Sequence, residues 1–222
     1  MVERFLFTTK QGKEMSVVVR GLIEGTKWYQ TFDFDEFTVK GEAPSPAKWG
    51  MLQSELPHTL ANRTVLDVAC NQGYYSLRAA MLGAVVTGID RDPVAVVTAQ
   101  RIRDSVFGAR NLKADFKVSE VGALPQLGQY DFTICFSLVH HVPLLETIQN
   151  IARATRQTAF IEALVDRSLS SDRPLFSLSD NPYVQEVLPS PLAFEQVLRR
   201  NFRGGVKILN PGSDRLMARC DK

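Results

Sequence analysis

The sequence has few cysteines, and none of them stands in a spacing typical of a metal site or a redox pair. Among its 222 residues, only Cys70, Cys135 and Cys220 are cysteines. No Cys-x-x-Cys pair and no Cys/His ligand pattern occurs. The sequence therefore predicts neither a disulfide framework nor a zinc site, and we expect no metal ligands.

The sequence also lacks a long hydrophobic run and a large net charge. No apolar stretch approaches the ~20 residues of a membrane-spanning helix, and residues 1–4 do not begin a signal sequence. We therefore expect a cytoplasmic protein with no membrane partner. The formal net charge is +2, which argues against a surface covered in phosphate contacts but leaves RNA possible through a local basic patch.

The first 50 residues are predicted to form a small β-rich appendage. Residues 4–8 and 15–20 have the composition of two short strands with a turn between them. An aromatic-rich segment follows at 27–33, and the prolines within 43–46 are predicted to interrupt regular structure. We interpret residues 1–50 as a cap on a larger domain that spans residues 51–222.

From residue 51 onward, strand and helix patterns alternate. Short apolar runs, typical of strands buried on both faces, are followed by segments of helical spacing. The predicted strands are 64–69, 85–90, 115–119, 132–136 and 158–163, and the predicted helices are 74–82, 93–107 and 144–154. This order predicts a parallel sheet with right-handed crossovers.

The C-terminal part of the chain changes pattern. Residues 168–189 are polar and predict a long loop, which we interpret as a lid because such loops in compact domains are usually functional. A helix at 191–201 precedes a predicted hairpin with strands at 206–209 and 215–219. The predicted fold class is α/β and Rossmann-like. It has a seven-stranded, mostly parallel sheet, an antiparallel C-terminal hairpin and the β-rich N-terminal appendage.

The most informative segment joins the first buried strand to the helix that follows it. It runs from Thr64 to Ser76 and reads TVLDVACNQGYYS. In open α/β sheets the ligand lies beyond the carboxyl ends of the strands, and unpaired N–H groups at a helix start suit a carboxylate or phosphate. Gly73 is expected to let the backbone approach the ligand closely.

A second acidic residue, Asp90, ends the next predicted strand, about 20 positions after Asp67, which is the spacing of a ribose-binding carboxylate. The pair predicts a ligand that contains a nucleoside; the alternative is an unrelated strand–helix–strand unit with a solvent-facing Asp. A dinucleotide fingerprint needs G-x-G-x-x-G, and this run supplies glycine only at position 73. A nicotinamide oxidoreductase is therefore disfavoured.

The run resembles motif I of class I S-adenosylmethionine-dependent methyltransferases, in which an acidic residue is followed by G-x-G-x-G. Asp67 matches the acid and Gly73 the last glycine, whereas Ala69 and Asn71 replace the first two. Asn71 is a suitable replacement because Asn tolerates left-handed backbone better than most residues. Ala69 is the departure from the pattern and is expected to crowd the methionine part of the cofactor.

The resemblance extends from Lys48 to Cys220 and implies S-adenosylmethionine as the cofactor. Residues 120–125 resemble the family's segment after the third strand, residues 130–142 its fourth strand with the following His-His pair, and the terminal hairpin its reversed seventh strand. The residues implied to bind the cofactor are Asp67, Ala69, Cys70, Asn71, Gly73, Asp90, Arg91, Glu120, Val121 and Phe136. Arg91 would cover the adenine, with Glu120 and Val121 beside it.

Within the family, the sequence C-N-Q-G at 70–73 and the pair Lys48-Trp49 resemble a narrower group. This group comprises the tRNA wobble-uridine carboxymethyltransferases and their short relatives. Those enzymes use carboxy-S-adenosylmethionine and have a tyrosine where this sequence has His140. We therefore expect ordinary S-adenosylmethionine as the donor.

The acceptor is expected to bind after the fourth strand of the sheet. Methyl transfer requires in-line alignment, and an oxygen or nitrogen acceptor also needs a base. His140 and His141 are the candidate catalytic residues because histidine titrates near neutrality; the alternative is that one of them only shapes the loop. The candidate substrate-binding residues are Lys48, Trp49, Tyr29 and Glu162, the aromatic ones having core packing as their alternative.

These observations predict an enzyme that methylates a small-molecule acceptor by in-line displacement. The near-neutral charge favours this prediction over an RNA-modifying methyl- or carboxymethyltransferase. A non-catalytic module that binds S-adenosylmethionine remains an alternative, since Ala69 departs from the motif.

Overall fold

The computed structural model describes residues 21, 24–35, 38–169, 172–174, 176–178 and 187–222. The strands predicted at 4–8 and 15–20 lie outside these residues. From residue 64 onward, strands and helices alternate as expected for an α/β domain.

One sheet of seven strands organises the described part of the chain, as predicted. Its strands are β3 (Thr64–Val68), β4 (Val85–Asp90), β5 (Ala114–Val118), β6 (Tyr130–Cys135), β7 (Thr155–Leu164), β10 (Gly205–Ile208) and β11 (Arg215–Asp221). The order across the sheet is β10-β11-β7-β6-β3-β4-β5. The five strands from β7 to β5 are parallel, and β11 pairs antiparallel with both β7 and β10.

This order creates a switch point between β3 and β6. The chain passes from β3 to β4 on one side and later returns to add β6 on the other side. The loops after β3, β4, β6 and β7 therefore meet at one edge of the sheet, the carboxyl edge, where open α/β sheets bind their ligands.

Helices cover both faces of the sheet. They are α1 (Ser45–Gln53), α2 (Tyr74–Met81), α3 (Pro93–Val106), α4 (Leu144–Ala154) and α5 (Pro191–Asn201), with short 3₁₀ helices at Gly108–Arg110 and Val121–Gln126. Two helices begin at side-chain caps. The Asp92 carboxylate accepts a hydrogen bond from Val94 N, and Ser190 Oγ accepts one from Ala193 N.

The N-terminal segment shares its core with the main sheet. It contains the short antiparallel strands β1 (Phe32–Asp33) and β2 (Thr38–Val39). Phe32 and Phe34 are buried in one cluster with Leu52 of α1 and Leu77 of α2. A second cluster, which includes residues of α4 and α5, lies on the opposite face. The segment is therefore an appendage without a core of its own.

Two local predictions are wrong. The prolines at 43–46 do not interrupt regular structure, because Pro46 lies in the first turn of α1, where a missing N–H costs nothing. Residues 168–189 are not entirely a loop, because β8 (Phe176–Leu178) pairs antiparallel with β9 (Val187–Pro189). Among the described residues, no helix has the length and apolar character needed to span a bilayer.

Candidate functional site

The turn after β3 is built from left-handed backbone. The φ angles of Ala69, Asn71 and Gly73 are 58°, 49° and 85°. Each of the three motif positions therefore has the conformation that glycine favours. Asn71 adopts it as expected, whereas Ala69 adopts it against the steric preference of its Cβ.

Gly73 is required for a reason that differs from the predicted one. A Cβ at this position would lie 2.9 Å from the Phe116 ring and 3.0 Å from the Cβ of Ala99. Both neighbours belong to the protein interior. Gly73 therefore allows α2 to pack closely on β5 and α3, rather than opening space toward a ligand.

Asp90 lies at the end of β4, beside this turn. Its Oδ2 accepts a hydrogen bond from Asn71 N at 2.8 Å, and its Oδ1 accepts one from Asp92 N at 2.9 Å. The residue is 9% exposed. Because an ionised carboxylate offers about four acceptor positions, it retains capacity for further donors such as hydroxyl groups.

Asp67 is buried in β3, directly before the turn. It is 1% exposed, and its Oδ2 accepts a hydrogen bond from Ser76 Oγ at 2.6 Å. Burial raises the pKa of Asp67 to about 7, with a smaller contribution from the nearby Asp90 charge. In this position Asp67 ties the end of β3 to α2.

The start of α2 is already occupied by protein groups. The sequence predicted unpaired N–H groups here, but Gln30 Oε1 accepts from Tyr74 N at 3.0 Å. Gln72 Oε1 in turn accepts from Tyr29 N at 3.1 Å and Gln30 N at 3.3 Å. Gln72 Nε2 donates to Lys27 O at 2.8 Å. The N-terminal segment is thus hydrogen-bonded directly to the motif I turn.

The other predicted cofactor residues lie around the same edge. Cys70 is buried, and burial raises the pKa of its thiol. Phe136, also buried, stacks edge-to-face on Tyr75 with ring centroids 4.9 Å apart. Arg91 is exposed directly after β4, and exposed Glu120 and half-buried Val121 follow β5. Among the described residues, no hydrogen bond or ion pair joins the side chains of these three residues to the turn.

Lys48 and Glu162 form a buried ion pair at the carboxyl edge. Lys48 Nζ of α1 lies 2.8 Å from Glu162 Oε2 of β7. Ser137 donates to the same oxygen from its backbone N and from Oγ, both at 3.1 Å, and its φ is 57°. The side chains are 9% and 1% exposed for Lys48 and Glu162. This arrangement links α1 to the loop after β6.

His140 and His141 stack on each other, with ring centroids 4.2 Å apart. The two rings can meet because the chain turns here instead of remaining extended. His140 is 4% exposed. Burial lowers the pKa of His140 to about 3, with further contributions from His141, Arg215 and Lys48. His140 is therefore neutral near pH 7 and a weak proton acceptor, whereas half-buried His141 is more accessible.

The predicted aromatic residues of the acceptor site pack against protein. Trp49 is 5% exposed in the core cluster of α1 and α2. Trp28 packs edge-to-face on Phe32 at 5.3 Å. Tyr29 is half-buried, and its backbone is held by Gln72. Core packing thus accounts for the two tryptophans.

Several residues of this edge were missed by the sequence analysis. They are Gln30, Gln72, Tyr75, Ser137 and Arg215. Gln72 lay within the quoted motif, but nothing in its spacing indicated a partner more than 40 residues earlier. The position of Arg215 at this edge follows from the pairing of β11 with β7, which the sequence pattern does not reveal.

Comparison with known proteins agrees with the predicted enzyme class. Residues 65–158 match a family model described as a methyltransferase domain. The ubiquinone biosynthesis O-methyltransferase of Bordetella parapertussis is 31% identical over 153 residues, which cover 66% of this chain and 60% of that protein. The chain therefore spans less than two thirds of the length of this relative.

Two solved structures have a similar fold. The N-terminal domain of EvdMO1 with SAH bound superposes with a TM-score of 0.70 and 16% identity, covering 91% of this chain and 94% of that one. The magnesium protoporphyrin IX methyltransferase of Synechocystis with bound SAM has a TM-score of 0.57 and 20% identity, covering 80% and 76%. At these identities the similarity is one of fold.

Proposed function

We propose that the chain is a class I S-adenosylmethionine-dependent methyltransferase and that it transfers a methyl group to an oxygen atom of a small-molecule acceptor. The observation that carries the proposal is the contact between the motif I turn and Asp90. The left-handed turn at 69–73 and the Asp90 carboxylate meet at the switch point of the sheet. This is where a nucleoside ligand is expected.

The residues present suit S-adenosylmethionine. Asp90 would accept hydrogen bonds from the ribose hydroxyls with its spare lone pairs. Asn71 and Ala69 would border the methionine part, and Phe136 would lie near the reacting end. Arg91, Glu120 and Val121 would surround the adenine.

The proposed reaction is a displacement at the methyl carbon. The cofactor supplies a methyl group on a sulfonium, and its departing sulfur becomes neutral without an acid. The acceptor hydroxyl oxygen forms the new C–O bond and loses its proton. His141 is the proposed proton acceptor, because the lowered pKa of His140 makes that ring a poor base at neutral pH.

The acceptor hydroxyl is proposed to bind beside the Lys48–Glu162 pair. Lys48 would donate to the acceptor oxygen and stabilise its developing negative charge, because a buried cation acts strongly where water is excluded. Glu162 and Ser137 hold Lys48 in position. The resemblance to the wobble-uridine carboxymethyltransferases gains no support from the relatives named above, and an RNA acceptor is not carried into this proposal.

Calorimetric titration with S-adenosylmethionine and S-adenosylhomocysteine tests the proposal. Asp90→Ala removes hydrogen bonds worth roughly 1.5–3 kcal/mol each, so binding should weaken about ten-fold or more. Asp90→Asn, which keeps the size of the side chain, should weaken binding less. Asp115→Ala removes an exposed carboxylate from the edge strand β5 and should leave affinity unchanged. Equal affinities in wild type and Asp90→Ala would refute the placement of the ribose.

A further inference from the structure

Arg215 stands at the carboxyl edge, beside the proposed acceptor site. It is the first residue of β11 and is the register partner of Leu164, the last residue of β7. Glu162 lies two residues earlier on β7. Because β11 runs against the parallel strands, its beginning lies where they end. Half-buried Arg215 is thereby placed next to the loop that contains His140.

The Arg215 guanidinium faces the His140 ring. Arg215 Nη1 lies 3.4 Å from His140 Nε2, and Leu164 N lies 3.4 Å from His140 Nδ1. A backbone N–H is always a donor, so Nδ1 is the acceptor nitrogen and the neutral ring carries its hydrogen on Nε2. An N–H group of His140 and an N–H group of Arg215 then face each other. Since both are donors, both require a hydrogen-bond acceptor between them.

The charges around this pair do not balance. Lys48 is neutralised by Glu162 at 2.8 Å. Among the described residues, no carboxylate pairs with Arg215. With His140 neutral, the cluster of Lys48, Glu162, His140 and Arg215 carries one positive charge in excess. A half-buried guanidinium without a counter-ion favours the binding of an anion.

We propose that Arg215 and His140 form a subsite for a carboxylate of the methyl acceptor. The substrate class is thus a hydroxylated organic acid, whose hydroxyl lies near Lys48 and His141 and whose carboxylate accepts from Arg215 and His140. A single carboxylate matches the single excess charge, and the planar fork of arginine suits its two oxygens. This inference rests on the proposed methyl-transfer function and names its substrate class.

The test uses the full chain saturated with S-adenosylhomocysteine. Calorimetry compares matched pairs of probes in which a hydrogen replaces the carboxylate: 3,4-dihydroxybenzoate with catechol, 4-hydroxycinnamate with 4-vinylphenol, and 3-hydroxybutyrate with 2-propanol. In at least one pair, the acid should bind about ten-fold or more tightly than its neutral partner. Preference for the neutral member, or no binding by any acid, would overturn the inference.

Substitutions of Arg215 test whether the proposed subsite causes the preference for the acid over its neutral partner. Arg215→Met should abolish the preference for the acid, and Arg215→Lys should retain part of it, because lysine keeps the charge but not the fork. Arg156→Met removes an exposed arginine from the opposite end of β7 and should preserve the preference. Preference unchanged in Arg215→Met would contradict the assignment.

Two further titrations separate the possible failures. Wild type that does not bind S-adenosylhomocysteine refutes the proposed function itself, whereas normal cofactor binding without acid preference refutes only the subsite. To distinguish an anionic acceptor from an anionic donor, S-adenosylmethionine and carboxy-S-adenosylmethionine are titrated against wild type and Arg215→Met. We expect no preference for the carboxylated donor. A carboxylated donor that binds more tightly, and only when Arg215 is present, would overturn the acceptor assignment.

Discussion

Ala69 occupies a backbone conformation that costs an L-residue about 1–2 kcal/mol. Its φ of 58° is compatible with glycine, which the family motif has at this position. The residue is half-buried, so its methyl group borders the open side of the turn. The chain therefore keeps the shape of the motif I turn without its first glycine, and this retained shape favours cofactor binding over a module that has lost it.

The buried Asp67 predicts a pH dependence of stability. Burial raises its pKa from 3.8 to about 7, so the folded protein holds a proton that the unfolded chain releases near pH 4. The stability contributed by this residue is complete below pH 4 and is lost as pH rises through 7. At about 1.4 kcal/mol per pKa unit, the loss amounts to roughly 4 kcal/mol at most.

Asp67→Asn should remove this dependence. The amide stays neutral and its oxygen still accepts from Ser76 Oγ. In urea unfolding between pH 4 and pH 8, the variant should gain stability relative to wild type as pH rises. Asp115→Asn, an exposed position, serves as control and should follow the wild-type profile. Parallel curves for Asp67→Asn and wild type would rule out this account of Asp67.

Single-residue roles were the hardest part of the site to predict. The sequence marked His140 and His141 as equal candidates for a base, and only burial separates them. Burial depends on how β11 and β7 enclose the loop, which the local sequence does not encode. The same holds for Gly73, whose neighbours Phe116 and Ala99 are distant in sequence.

At the scale of elements, the amphipathic and capped segments were predictable. The bounds of α4 and α5 match the prediction, because apolar periodicity and the Ser190 cap at the start of α5 are local signals. The start of α1 was not predicted, because proline breaks a helix in its interior but is well tolerated in the first turn, where Pro46 lies. The pair β8–β9 was missed since its strands are short and polar segments separate them.

The contact between the N-terminal segment and the motif I turn depends on Gln72. Gln72→Ala removes three hydrogen bonds, to Lys27 O and from Tyr29 N and Gln30 N. The amide protons of Tyr29 and Gln30 should exchange faster with solvent. The free energy of unfolding should fall by roughly 1–3 kcal/mol, at about 1 kcal/mol per bond.

Hydrogen exchange followed by mass spectrometry checks this expectation. The matched control is Gln100→Ala, which removes the single hydrogen bond from Gln100 Nε2 of α3 to Phe116 O of β5. It should leave exchange at residues 29 and 30 unchanged. Unaltered exchange at these two amides in Gln72→Ala would show that the segment is held by its apolar packing alone.

At the scale of the whole molecule, the mostly parallel sheet with its antiparallel C-terminal hairpin was predictable, and the docking of the N-terminal segment was not. Alternating patterns and right-handed crossovers leave few topologies for the central sheet. The position of α1 instead follows from contacts across long sequence separations. Lys48 meets Glu162 across 114 positions, and Trp49 and Leu52 join a cluster with residues of α2 and the sheet.

The Lys48–Glu162 pair couples this N-terminal helix to the sheet and predicts a measurable interaction energy. Lys48→Met leaves the Glu162 carboxylate buried with only Ser137 as donor, so the free energy of unfolding should fall by about 3–5 kcal/mol. Glu162→Gln should cost less, since its neutral amide oxygen still accepts from Ser137. The double variant Lys48→Met/Glu162→Gln should regain part of the free energy of unfolding that Lys48→Met loses, because no buried charge is left without a partner.

A double-mutant cycle from urea unfolding measures this coupling. The solvent-exposed pair Lys27 and Glu42, which are 3.5 Å apart, provides the control cycle and should show a coupling of about 1 kcal/mol or less. Additive losses for Lys48→Met and Glu162→Gln would mean that the pair does not connect α1 to β7. A large coupling would show that the ion pair stabilises the contact between α1 and β7, beside the proposed acceptor site.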